Sequence, residues 1–200
     1  MHAVEAEDNQ IPCPFCRTPA SVSDGEIVEE LKKRAESDDA QAIYNIGCCY
    51  RDGELGLPRS NKKAIKLWLR AASLGHAAAY DNLGVLHDNG EGVERDTKKA
   101  KHYYELAAMG GDAHARHNLG CSENDAGNMN RAVRHWMIAA AAGHDDSLGK
   151  IRECFLRGYA TKDDYEKALR AHKEAKDEMK SDQRAAAAKI EYRLSSLGQG

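Results

Sequence analysis

Cys13 and Cys16 form the one Cys-x2-Cys pair of the chain, within Ile11-Pro12-Cys13-Pro14-Phe15-Cys16-Arg17. Two sulfurs at that spacing sit on one turn and suit a shared tetrahedral zinc, whose Zn–S bonds are about 2.3 Å. His114, His117 and Cys121 lie three and four positions apart, on one face of any helix that contains them, and carry side chains that a transition metal accepts. Ser60-x-x-Lys63 and Ser147-x-x-Lys150 have the spacing of a serine nucleophile with its lysine, but neither Ser-Asp-Asn nor Lys-Thr-Gly accompanies them. The pairs Asp38-Asp39, Asp145-Asp146 and Asp163-Asp164 have the composition of carboxylate dyads, yet each stands at a helix start, where acids offset the macrodipole. Asp88, Glu91, Glu94 and Asp96 surround Gly90 and Gly92 without the order of a calcium loop, and there is no glycine-rich phosphate loop. No constellation supplies both a nucleophile and its activator, so the chain is expected not to be an enzyme.

The elements that carry these residues are helices. Thirty-one alanines stand against six valines and four prolines in 200 residues, a balance that favours helix over sheet. A net charge of -3 and a pI near 6.3 argue against a basic nucleic-acid surface. Mean hydropathy is -0.70, and no apolar run approaches the roughly 18 residues that would span a bilayer. Residues 1–12 hold Glu5, Glu7 and Asp8 where a signal peptide would be basic and then apolar. The expected setting is the cytoplasm, or the nucleus, where six cysteines remain reduced and do not form a disulfide framework.

The chain repeats itself. Gln41-Ala42-Ile43-Tyr44-Asn45-Ile46-Gly47 aligns with Ala78-Ala79-Tyr80-Asp81-Asn82-Leu83-Gly84 and with His114-Ala115-Arg116-His117-Asn118-Leu119-Gly120, the glycines 37 and 36 residues apart. Lys63-Ala64, Trp68, Ala72 and Gly75 recur as Lys99-Ala100, Tyr104, Ala108 and Gly111, then as Arg131-Ala132, Trp136, Ala140 and Gly143, with the third copy shortened in the loop before Ala132. Each unit reads as two amphipathic helices, Gly53 and Gly90 ending the first, and Gly75, Gly111 and Gly143 the second. Ile27, Leu31 and Ala35 align with Ala64, Trp68 and Ala72, a capping half-repeat. A degenerate fourth copy follows, in which Arg152 replaces the glycine, Ser147 matches Ala115 and Thr161 starts the second helix. Cys121 falls in register with Cys48 and Val85, an apolar position, so packing is the expected role of Cys48, Cys49, Cys121 and Cys154.

These units resemble Sel-one-like repeats, a branch of the tetratricopeptide-like solenoids. Repeat 2 carries the motif nearly throughout, with Ala79, Leu83, Gly84, Gly90, Gly92, Val93, Asp96, Lys99, Ala100, Tyr104, Ala107, Ala108 and Gly111. The resemblance covers about residues 38–180 and implies an all-α, right-handed α/α superhelical solenoid. The expected divisions are a disordered tail over 1–24, a capping half-repeat over 25–37, and repeats over 38–75, 76–111, 112–143 and 144–181. A separate C-terminal helix and tail would then occupy 182–200. The segment around Cys13 and Cys16 resembles the last ligand pair of a RING-type zinc finger, with Pro14 and Arg17 at the positions that meet the ubiquitin-conjugating enzyme and ubiquitin. A complete finger needs eight ligands and only His2 precedes Cys13, so no cofactor is expected unless missing ligands complete a zinc site.

Asn45, Asn82 and Asn118 precede the Leu/Ile-Gly of each copy. In tetratricopeptide-like solenoids that position resembles the concave face, where an amide either holds an extended peptide or bonds the neighbouring repeat. Tyr44, Asp81 and His117 stand beside them, with Arg51, Asp88 and His114 as further exposed candidates of mixed charge. The expectation is a scaffold that binds a protein or peptide partner through Asn45, Asn82, Asn118, Tyr44, Asp81 and His117, without nucleic acid or membrane. The alternative is the substrate-recognition part of a RING-type ubiquitin ligase.

Overall fold

The computed structural model describes residues 23–197, with side chains through residue 183. Cys13, Cys16 and the expected tail as far as residue 22 lie outside the described residues. Within them the chain forms α1 (Asp24–Glu36), α2 (Ala40–Asp52), α3 (Asn61–Ser73), α4 (Ala77–Asn89), α5 (Thr97–Met109), α6 (Ala113–Asp125), α7 (Met129–Ala141), α8 (Asp145–Leu156) and α9 (Lys162–Leu197), with no strand among them. Helices begin where a side chain satisfies the first free N–H groups. Asp39, Ser60, Asp96 and Asp112 cap α2, α3, α5 and α6, and a Ser23–Glu26 capping box starts α1. Thr161 and Asp164 form a second such box at the start of α9.

Each helix packs on its neighbours in the chain, so α2–α3, α4–α5 and α6–α7 are successive hairpins stacked into a solenoid. The hairpin depends on one close contact. Trp68, Tyr104 and Trp136, 0%, 3% and 2% exposed, press against Gly47, Gly84 and Gly120 of the preceding helix. A Cβ on Gly47 would stand 2.5 Å from Trp68 Nε1, and one on Gly84 would stand 2.5 Å from Tyr104 Cε1, so only glycine fits. The indoles also donate to the backbone they cover, Trp68 to the Tyr44 carbonyl at 3.3 Å and Trp136 to that of His117 at 3.2 Å.

Loop closure repeats as well. Ser60, Asp96 and Asn128 donate their N–H groups to the carbonyls of Tyr50, His87 and Glu123, at 2.6, 2.8 and 2.8 Å. The short third loop therefore closes on the same bond as the long ones. Between hairpins, Asp39, His76, Asp112 and His144 donate to Arg34, Ala71, Ala107 and Ala139. Gly75, Gly111 and Gly143 take φ of +90°, +86° and +84° just before, and Asp38 fills the equivalent place at +56°. That shared turn makes α1 the second half of a repeat.

Two expectations change. Val28, not Ile27, is the buried residue of the first turn of α1; Ile27 is 36% exposed. The helix over 182–197 is not separate, because α9 runs unbroken from Lys162 to Leu197. No glycine or proline interrupts those 36 residues, and alanine and lysine, both good helix formers, are the commonest among them. The first half of α9 covers both α7 and α8 and closes the stack at that end.

Candidate functional site

The first helices α2, α4 and α6, followed by α8, place the predicted binding residues along one face, and neighbouring repeats interlock there. Asn82 donates its amide to Tyr44 Oη at 3.2 Å, and Asn118 donates to Asp81 Oδ1 at 2.9 Å. Tyr44 and Asp81 occupy the same position in successive repeats, so each of these bonds ties one repeat to the next. His117, third in that register, meets Ser147 Oγ through Nδ1 at 2.9 Å. Five of the six candidates thus form rungs between repeats. Asn45, at the open end, accepts instead from Gln41 of its own helix, at 2.8 Å.

Aromatic stacking adds to two rungs. The His76 ring lies on Tyr44 at 4.3 Å between centroids and bonds Gln41 Oε1 through Nε2 at 3.1 Å. The His144 ring lies on His117 at 4.7 Å. Both histidines occupy the residue before a first helix, where Asp39 and Asp112 stand in the other repeats. Burial shifts the titration of these groups. It pushes the Tyr44 phenol up to about 12 and, with the Asp112 carboxylate nearby, pushes Asp81 up to about 6. It also holds His76, His117 and His144 below the ordinary imidazole range.

The proposed chemistry of the other motifs is consumed by structure. Ser147 is fully buried and its hydroxyl lies between His117 and His144, so no substrate carbonyl reaches it. His117 directs its nitrogens to Ser147 and Cys121, while His114 meets His144. Among the described residues no group of three or more His, Cys, Asp or Glu is placed to hold a metal ion. Asp145 is engaged by His172 and Lys176 at 2.8 Å each, and Asp163 pairs with Lys167. No helix of the described residues is long and apolar enough to cross a membrane.

Glu123 was missed by sequence reasoning. It stands at the Tyr50 and His87 position, is 1% exposed, and is held by Lys101 at 2.8 Å, Asn128 at 2.9 Å and Arg131 at 3.4 Å. The Lys101 ammonium keeps its carboxyl below the usual carboxylate range. The signal was an acid at an otherwise aromatic position, with a basic residue 22 positions earlier in the preceding repeat.

Comparison with known proteins places this arrangement. The Sel1 repeat model matches residues 40–76, 77–112 and 147–170. A Sel1 repeat protein from Oxalobacter formigenes has a similar structure, with a TM-score of 0.67 and 27% identity over 77% of this chain and 64% of that one. The antigen c5321 of uropathogenic Escherichia coli, described as displaying an SLR fold, gives a TM-score of 0.62 and 30% identity over 76% of this chain and 33% of its own. The chain thus spans less than two thirds of the length of either. No curated protein matches it.

Proposed function

From the premise that this chain is a Sel1 repeat protein, we propose that it is a scaffold holding a protein or peptide partner on the face lined by α2, α4, α6 and α8. Such repeat proteins generally act by protein interaction. One observation carries the choice of face: bonds between repeats fix its spacing, while Gln41 and His114, at one register position of α2 and α6, remain exposed. A partner there meets a prearranged surface, so little ordering opposes binding. The second helices expose Lys62, Lys66, Lys98 and Arg134, a solvated outer face.

Asn45 is the candidate left for a ligand, because its amide bonds only Gln41 of the same helix. Asn82 and Asn118 support the groove instead. No observation favours the ubiquitin-ligase reading, since Cys13 and Cys16 lie outside the described residues. Cys48, Cys49, Cys121 and Cys154 are free thiols, which suits the reducing cytoplasm proposed as its setting. The test is partner capture by wild type, by a Gln41→Ala/Asn45→Ala double variant and by a Lys66→Glu control. Loss in the first-helix variant alone supports the assignment; equal capture by all three contradicts it.

A further inference from the structure

We propose that His144 is a pH-operated pin between repeats 3 and 4: neutral, it ties α8 to α6, and on protonation it lets go.

The nitrogen that holds the proton decides what His144 can bond. The backbone N–H of Ser147 donates to His144 Nδ1 at 3.3 Å, so this imidazole does for α8 what the carboxylates of Asp39 and Asp112 do for α2 and α6. An accepting Nδ1 leaves the ring proton of the neutral form on Nε2, which stands 3.2 Å from His114 Nδ1 and donates to it. The Ser147 hydroxyl lies 3.1 Å from His144 Nδ1 and 2.9 Å from His117 Nδ1. Neutral His144 therefore serves two contacts with α6 and the cap of α8 at once.

A second proton on His144 must go to Nδ1. It abolishes acceptance from Ser147 and sets a positive charge at a helix N-terminus, where the macrodipole opposes it. His114 meets the ring edge-on at 4.7 Å and His117 stacks on it at 4.7 Å, so further protonation in the cluster adds like charge.

The surrounding charges divide. On α8, Asp145 and Asp146 favour the His144 cation, while Lys150 disfavours that of the neighbouring His117; Asp145 is already engaged by His172 and Lys176 of α9. Asp112 at the start of α6 favours it too, and Asp81 of α4 faces His114. From α7 the neutral indole of Trp136 meets the cluster at the His117 carbonyl. Burial and His114 prevail, which keeps His144 below the ordinary imidazole range. A folded-state value below the unfolded value of about 6.5 means stability is present above that pH and is lost as the pH falls below it toward the folded value. Water reaches the joint through exposed His114.

The test uses the full chain and His144→Asn, whose amide oxygen can still cap α8 but does not titrate. Between about pH 7.5 and 5.5 the wild-type melting temperature should fall further than that of the variant, by roughly 3 °C. In wild type, nuclear magnetic resonance should show His144 titrating below about 6.5, with the Ser147 amide shift following the same midpoint. Superimposable melting profiles, or a His144 midpoint at or above that value, would overturn the proposal. If the variant does not fold, the wild-type titration decides alone.

Discussion

Asn82 and Asn45 occupy the same position of successive repeats and have different tasks, because only Asn82 has a preceding first-helix Tyr44 to bond. Asn82→Ala should cost about 1 kcal/mol, or roughly 3 °C in melting, by stranding the half-buried Tyr44 hydroxyl, whereas Asn45→Ala should stay within about 0.5 kcal/mol of wild type. Parallel thermal melts check both. Glu123→Ala should cost more, about 2 kcal/mol, since it removes a buried carboxylate from Lys101 and Asn128 while Lys101 can still rehydrate. Because Lys101 lowers the folded-state value of Glu123, that stability is present above the unfolded value of about 4.3 and is lost as pH falls through the folded value. Urea denaturation of wild type and Glu123→Gln at neutral and acid pH should therefore show the difference shrinking in acid. The candidate residues were legible in the sequence, but their pairing was not. Tyr44 and Asp81 find their amides 38 and 37 positions away, one place out of register, and His117 finds Ser147 at 30, relations that the stagger of stacked helices sets and periodicity does not reveal.

At the scale of the helix pair, the glycine and aromatic of the motif are one contact seen twice. Gly84→Ala would drive a Cβ against Tyr104 and the Ala100 carbonyl, 3.2 Å away, and should destabilise by about 1–3 kcal/mol. The control is Ala78→Ser on the same helix, which should melt within about 0.5 kcal/mol of wild type. If both melt alike, the close packing of Gly84 is not what holds the pair. Helix boundaries were largely legible because caps are local: Asp39, Asp96, Asp112 and Thr161 announce their helices within three residues. What local signals did not give was the length of α9, where the expected boundary near 182 has neither glycine nor proline to enforce it. Nor did they give the role of Asp38, whose left-handed backbone became visible only once α1 was seen to turn into α2 as each repeat turns into the next.

At the scale of the molecule, the stack presents two unlike faces, first helices joined by rungs and second helices bearing lysine and arginine. The proposed partner is held by the first. The most direct measurement installs one photo-crosslinking side chain at a time, at Ala78 on α4, in register with exposed Gln41 and His114, or at Lys66 on α3, and compares the products formed in a lysate of the source cells. The account predicts one protein joined at Ala78, absent from the Lys66 reaction and lost when a Gln41→Ala/Asn45→Ala change is added. The same product from both positions, or one formed only at Lys66, would contradict it.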